Sequence, residues 1–456
     1  MKIKKLTALC LTFTMAAGLL IGCSGQDTAL PQENKEPAQT AATSDEQASG
    51  EKGDTGAAQE TELTLQVGSN SALEGLEAVC DLAREKLGIS VKIEYTVAGT
   101  DTDNIVKTRL ATDELADILV YTPGALFASL NPSKYFIDIS DQPFIEKLDG
   151  TYLSSVTFDD KVFGVPMAPS QAGAVMYSKS MYQELGLTVP KTWDEFMKNC
   201  DTIKTSGKTA VLCSLGTGYT VQVPFLGDQY NLMAADPDFI KDYEAGTTKY
   251  ADNDAGLRSF EKLAETAKYY NEDYLATTYD DACEIMANGE AGHWIMLTSA
   301  LTNIYKLYGD KVNDIGVFAV PGDQADDNGL TVWMPNSIYG NINSDKKDAI
   351  LRFMEFFLSD EALNAYAAQV PPSGPYCVKD YEYPENTFDA VKIDMQSYFD
   401  SGKTGLAAEF LTQVKGSQCT EICTELVTGQ IDYKEAAASY DEDCKKQAQQ
   451  LGLNWE

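Results

Sequence analysis

The feature that most constrains this chain is the order of patterns between residues 63 and 121. Residues 63–67 alternate apolar and polar, as a strand with one buried face does. Leu73, Leu76, Val79, Ala83 and Leu87 then recur at helical spacing, and Gly88 supplies a stop. Residues 90–95 read as a second strand, with Val91, Ile93 and Tyr95 on one face. A helix through 105–110 precedes a short buried strand at 118–121. Strand, helix, strand, helix, strand in this order predicts an α/β lobe built on a largely parallel sheet.

A second run of the same kind begins at Ala174-Val175-Met176-Tyr177. Thr192 and Glu195 have the spacing of a capping box that opens a helix. Further strands are expected at 210–212, 314–320 and 337–342. A helix is expected over 349–366, with Ile350, Phe353, Met354 and Phe357 on its core face. The tail beyond Phe410 reads as helical and acidic, and no repeat of 20–50 residues is present.

Charge and composition remove whole classes of function. The formal charge is −34, which disfavours nucleic acid as a partner, because phosphate backbones are held by Lys and Arg. The single histidine, His293, lies in the apolar run Gly292-His293-Trp294-Ile295-Met296 and is read as structural. A chain with one histidine has little means to build a His-based metal site or triad, so neither metal nor cofactor is expected.

The N-terminal residues fix the expected compartment. Lys2, Lys4 and Lys5 precede an apolar run over 6–21, shorter than a membrane span, which ends at Leu20-Ile21-Gly22-Cys23. This resembles the lipobox of bacterial lipoproteins, in which the cysteine thiol takes a diacylglyceryl group. Residues 1–22 are therefore expected to be a signal peptide and Cys23 the lipidated residue. Residues 23–60 carry no aromatic side chain and read as a disordered tether. The expected location is the extracytoplasmic face of the cell membrane. Removal of the leader takes away three lysines and makes the chain still more acidic. Cys80, Cys200, Cys213, Cys283, Cys377, Cys419, Cys423 and Cys444 remain. An even set outside the cytoplasm suggests disulfides, with Cys200–Cys213 as one candidate bridge; buried free thiols are the other reading.

A family resemblance rests on an ordered set of motifs. Ala174-Val175-Met176-Tyr177-Ser178-Lys179 is followed by Leu185-Gly186-Leu187-Thr188-Val189-Pro190-Lys191-Thr192-Trp193-Asp194-Glu195-Phe196. With Asp159-Asp160-Lys161-Val162-Phe163-Gly164-Val165-Pro166, Met286-Ala287-Asn288-Gly289-Glu290-Ala291-Gly292 and Ile315-Gly316-Val317-Phe318-Ala319-Val320-Pro321-Gly322, the set resembles family 1 extracellular solute-binding proteins. Ser344-Asp345-Lys346-Lys347-Asp348 leading into Phe353-Met354-Glu355-Phe356 fits the same pattern. The resemblance implies a two-lobed periplasmic-binding-protein-like α/β fold with a ligand cleft between the lobes. One lobe is expected from 61–168 with 330–372, the other from 169–329 with 373–456. Crossings are expected near Met167-Ala168-Pro169, Leu330-Thr331 and Pro371-Pro372. The implied function is capture of a small solute, a mono- or oligosaccharide, and its delivery to the permease subunits of an ABC transporter by a monomeric receptor. A same-fold receptor for a peptide, polyol or other solute is the alternative, and a secreted lipoprotein hydrolase a remote one.

A sugar site needs flat aromatic faces and hydrogen-bonding groups. Trp333, with Asn336 and Ser337, falls just before or at the start of the 337–342 strand, where the resemblance implies the cleft. Ser69 and Asn70 follow the first strand, Tyr121 closes the third, Gln171 follows the first crossing, and Tyr219 sits in a glycine-flanked loop. Trp193 is read as structural because it sits inside a helix start, and Trp294 as core. Ser344-x-x-Lys347 and Lys403-Thr404-Gly405 mimic two motifs of serine β-lactamases, but the third, Ser-Asp-Asn, is absent, and no catalytic residue is assigned.

Overall fold

Two sheets organise the chain. The computed structural model describes residues 60–68, 73–96, 100–385 and 387–455, so Cys23, the tether, Ser69 and Asn70 lie outside the described residues. The first sheet has the order Ile89–Thr96, Thr61–Gly68, Ile118–Tyr121, Ser337–Gly340, Gly164–Pro166. Its first three strands are mutually parallel, as the strand–helix alternation requires. Ser337–Gly340 arrives from far along the chain and runs antiparallel to both neighbours. Leu63, Leu65 and Val67 are fully buried against Leu76, Val79 and Ala83 of the helix Glu74–Leu87. That helix stops where expected, because Gly88 takes a left-handed conformation (φ 65°) and returns its amide to the last turn.

Thr157–Phe158 and Lys161–Val162 form a two-residue hairpin. Its turn residues Asp159 and Asp160 both have positive φ, 50° and 60°. Short polar side chains tolerate the left-handed region that such a turn demands. The helix expected over 349–366 is two helices, Lys347–Phe357 and Asp360–Gln369. The break is at Ser359, whose hydroxyl accepts the Ala362 amide and starts a new N-terminus.

The second sheet has the order Thr404–Leu406, Leu330–Trp333, Gln171–Ser178, Ala291–Leu297, Thr209–Leu212. Ile315–Ala319 shares the long Gln171–Ser178 strand with Leu330–Trp333, end to end. The outer edge of Ile315–Ala319 is closed by side chains: Asp394 accepts the Val317 amide (2.9 Å) and Tyr398 the Ala319 amide (3.1 Å). His293 is a core residue. Its Nδ1 donates to the Ala210 carbonyl (2.8 Å), which leaves Nε2 to accept from the Tyr182 hydroxyl (2.6 Å). Burial lowers its pKa from the ordinary 6.5 to about 3, so the ring is neutral.

The eight described cysteines are all free and buried, and the Cys200–Cys213 bridge does not form. Cys200 turns into the core, its sulfur 3.7 Å from His293 Nδ1. Burial pushes the Cys80, Cys213, Cys283 and Cys444 thiols up to about 12, which removes the thiolate that exchange and metal binding need.

The chain passes between sheets where a strand of one ends and a strand of the other begins. The first passage spans 167–170. The second lies at 334–336, because Leu330–Trp333 still pairs within the second sheet. The return to the second sheet comes later than residue 372. Val378 still bridges Leu148 beside the first sheet, whereas Phe388 packs on Tyr305 of the helix Ser299–Tyr308, which follows the second-sheet strand Ala291–Leu297.

Candidate ligand-binding site

The passages between the sheets are tied to one another by backbone bonds. The Met167 amide donates to the Asn336 carbonyl (2.9 Å), and the Ser170 amide donates to the Pro375 carbonyl (2.7 Å). Between them lies a cavity of about 340 Å³ lined by Gln171, Trp333, Asn336, Tyr366 and Ser373, with Met167 to Pro169 along one wall. Gln171 and Trp333 are cross-strand partners in the second sheet. The indole of Trp333 lies against Gly173: a Cβ there would be 2.8 Å from the ring. The glycine is therefore what lets a ring of this size settle on the strand.

Trp333 also borders a second cavity, of about 270 Å³, that runs into the second lobe. Gln222, Gln229, Glu409, Lys415 and Thr420 supply its polar groups, and Ile240, Tyr243, Tyr250 and Tyr440 its deep end. The indole Nε1 donates to Glu409 Oε1 (2.5 Å), and Glu409 Oε2 pairs with Lys415 Nζ (2.9 Å). Gln229 is fixed by accepting the Ala408 amide (2.8 Å), which anchors the segment that carries Glu409. Burial holds the Tyr250 and Tyr440 phenols well above their usual range, so they meet any occupant as neutral groups. Among the described residues, Glu409 and Lys415 are the charged side chains lining these two cavities, and they neutralise each other.

Of the residues expected from sequence, Trp333, Gln171 and Asn336 come together on one cavity. Asn336 is oriented by the Thr122 hydroxyl, which donates to its Oδ1 (3.1 Å). Ser337 is fully buried and shares a hydrogen bond with the Tyr152 hydroxyl (2.7 Å), so it sits behind the cavity wall. Tyr121, its register partner, is buried as well and donates to Asp103 (2.6 Å). Tyr219 is 46% exposed and lines neither cavity, although Gln222 on the same short turn does. Glu409, Gln222, Gln229, Lys415, Tyr366 and Ser373 were not singled out from sequence. No local pattern marks them; Glu409 follows the strand Thr404–Leu406, which pairs with Leu330–Trp333.

The other tryptophans are structural. Trp193 is buried and donates to Glu265 (2.6 Å), and Trp294 is buried beside Tyr279. Ser344 donates to Asp117 (2.7 Å), while Lys403 Nζ reaches the Asp326 carbonyl beside the second sheet (2.6 Å). The two β-lactamase-like motifs are thus engaged in separate structural contacts.

Two α/β lobes with cavities at their junction define the architecture of a solute receptor. Residues 71–363 match the family of bacterial extracellular solute-binding proteins, and the chain belongs to that family, one of binding proteins rather than enzymes. It is 26% identical over 264 residues to the multiple sugar-binding protein of Streptococcus mutans serotype c, covering 55% of this chain and 60% of that one. It is 27% identical over 139 residues to the melibiose/raffinose/stachyose-binding protein MelE of Bacillus subtilis, covering 30% and 32%. The match thus spans less than two thirds of either relative. The apo form of RafE from Streptococcus pneumoniae superposes with a TM-score of 0.71 at 16% identity, over 86% of this chain and 99% of that one. RafE in complex with raffinose gives 0.67 at 17% identity, over 85% and 100%. Among the described residues no helix is long and apolar enough to cross a membrane.

Proposed function

We propose that this chain captures a sugar outside the cytoplasm and hands it to the permease of an ABC importer. One observation carries the reading: the Trp333 indole lies between two cavities whose other walls bear amides and hydroxyls. A sugar presents apolar C–H faces and a ring of hydroxyls, and this combination suits both. The names of the Streptococcus mutans and Bacillus subtilis relatives, and the raffinose complex of RafE, support a sugar over a peptide or polyol. Trp333, Gln171 and Asn336 are the proposed contacts, joined by Glu409 and Gln229. Ser69 and Asn70, which lie outside the described residues, remain proposed contacts on the sequence reading alone. The Leu20-Ile21-Gly22-Cys23 motif supports a lipid anchor at Cys23, and the receptor is proposed to act as a monomer.

A thermal-shift screen of sugars, polyols, peptides and amino acids tests the reading. A ligand at 100 times its Kd stabilises the folded state by about 2.7 kcal/mol, which raises the Tm measurably. Trp333→Ala is expected to weaken sugar binding by about 2 kcal/mol or more, as loss of a buried aromatic anchor does. Peptides that raise the Tm where no sugar does would sink the proposal. For the anchor, Cys23→Ala should move the protein out of the membrane fraction, and retention there would refute lipidation.

A further inference from the structure

We infer that the second lobe carries another binding site, separate from the cavities beside Trp333, which takes an aliphatic di- or polyamine. This site stands apart from the sugar reading.

The site is a cavity of about 720 Å³, larger than either cavity beside Trp333, and it shares no lining residue with them. It lies among the helix Gln229–Ala235, the first half of the helix Asp254–Ala267 and the loop after the strand Ile315–Ala319. The Asn253 side chain caps the second of these helices and accepts the Ala255 and Gly256 amides (2.9 and 3.1 Å). Those amides are therefore already bonded, and carboxylates flank them, which disfavours an anion here.

What the walls still offer is acceptors. Arg258 is forked onto Asp323 (3.0 Å) and also bonds Glu261 and Glu265 (2.8 and 3.2 Å). Lys262 is buried on Asp228 and the Pro321 carbonyl. Both cations of the cavity are thus committed, whereas Asp236, Asp252 and Asp254 pair with no cation among the described residues. Asp252 and Asp254 are exposed at the rim. Deeper in the wall, Asn231 is only 9% exposed. Its amide nitrogen donates to Asp228 (2.7 Å) and to the Val320 carbonyl (2.8 Å), which fixes the orientation of the group. Its Oδ1 then receives no donor among the described residues. A buried amide oxygen without a donor is costly, and an N–H group brought by a ligand removes that cost. Gly322, also a lining residue, lies beside this oxygen: a Cβ there would be 3.2 Å from it.

The spread of the acceptors selects the class of cation. A calcium ion gathers roughly six to eight oxygens at one point. Among the described residues no three acidic, cysteine or histidine side chains converge to hold a metal. Acceptors distributed from the Asn231 oxygen to the Asp252 and Asp254 carboxylates instead suit donors distributed along a flexible chain. Ammonium groups separated by methylenes supply these, each in a charge-assisted hydrogen bond.

Calorimetric titration of the intact protein with putrescine and spermidine at fixed ionic strength, with calcium chloride as the comparison, tests the assignment. Spermidine should bind at one site. Asp252→Asn combined with Asp254→Asn should weaken it by roughly tenfold or more. Gly322→Ala, which covers the Asn231 oxygen with a methyl group, should weaken it as well while the variant still melts cooperatively. A formal charge of −34 draws cations to the whole surface, so the control removes the same charge elsewhere. Asp345→Asn combined with Asp348→Asn, at exposed positions of the first lobe, should leave spermidine affinity unchanged. Absence of binding by both amines overturns the site. Equal losses in the two double variants reduce the binding to bulk charge and overturn it too. Unchanged affinity in Gly322→Ala removes the Asn231 oxygen, and the inference with it. Calcium bound more tightly than spermidine overturns the amine assignment.

Discussion

The sheet of the first lobe and the helical layer of the second are held together by different chemistry. On one face of Thr61–Gly68 the buried side chains are aliphatic, Leu63, Leu65 and Val67 with Leu76, Val79 and Ile118 nearby, while Gln66 is buried on the other face and accepts from Arg109 (2.8 Å). Beside the second-lobe cavity the buried side chains are aromatic, with Phe225, Phe239, Tyr243, Tyr250, Phe260, Tyr440 and Trp455 in one cluster. An aliphatic core asks only for shape. A phenolic core must also satisfy its hydroxyls and the polar groups buried with them. Asp441 answers that need, accepting the Tyr250 and Ala251 amides (3.0 and 2.9 Å) and the Tyr243 hydroxyl (3.1 Å). Burial raises its carboxyl above the usual range even so. Nearby, Lys262 Nζ donates to Asp228 (2.8 Å) and to the Pro321 carbonyl (3.0 Å), while Ser259 and Asn231 complete the Asp228 shell. The difference teaches that the second lobe packs its aromatic side chains together with a buried polar network, whereas the helix-facing side of the first-lobe strand Thr61–Gly68 packs on aliphatic shape alone.

The largest expected effect follows from breaking that network. Lys262→Met leaves Asp228 buried and unpaired and should cost about 3–5 kcal/mol in urea unfolding; a loss under 1 kcal/mol would mean the network carries little weight. Leu65→Ala in the first lobe should cost about 2–5 kcal/mol through a cavity alone, with the same loss at pH 7 and pH 5. A loss that varies with pH would show that the aliphatic core is coupled to ionisable groups. His293 provides the titrating contrast. Its folded pKa of about 3 lies below the ordinary 6.5, so between these values the unfolded chain binds the additional proton. Stability is therefore full above pH 6.5 and falls as pH drops, by about 1.4 kcal/mol per unit from this residue. His293→Asn, which keeps a donor for Ala210, should flatten that slope; an unchanged slope between pH 6.5 and 4 would reject the assignment. The smallest effect is at the edge of the second lobe. Thr192 accepts the Glu195 amide (3.3 Å), and Thr192→Ala should cost about 1 kcal/mol by thermal melting.

What the sequence made legible follows from the range of the interactions. The 118–121 strand and the strand beginning at Ser337 are where periodicity puts them, because local pattern and burial agree. His293 is readable as structural because its neighbours are apolar, and Trp193 because it sits inside a helix start. The break at Ser359 was missed because a serine cap inside a continuous apolar pattern is a weak signal. The site was half visible. Trp333, Gln171 and Asn336 adjoin passages between the sheets that the motif order exposed. Glu409, Gln229 and Lys415 meet Trp333 only through pairings between distant segments, such as Leu330–Trp333 with Thr404–Leu406, that no local pattern encodes. Ser337 and Tyr121 are register partners whose side chains are buried in bonds to Tyr152 and Asp103, an orientation that their positions along the chain do not encode.

The closed edge of Ile315–Ala319 has a consequence for how the protein behaves in a crowd. An open strand edge is a template on which a second chain can add, the first step of aggregation. Here the outward amides of Val317 and Ala319 are already spent on Asp394 and Tyr398, delivered by the wide helical turn Ala390–Met395 and the helix Gln396–Asp400. A second chain thus meets no free amide at Val317 or Ala319, and strand addition at this edge is blocked by two side chains.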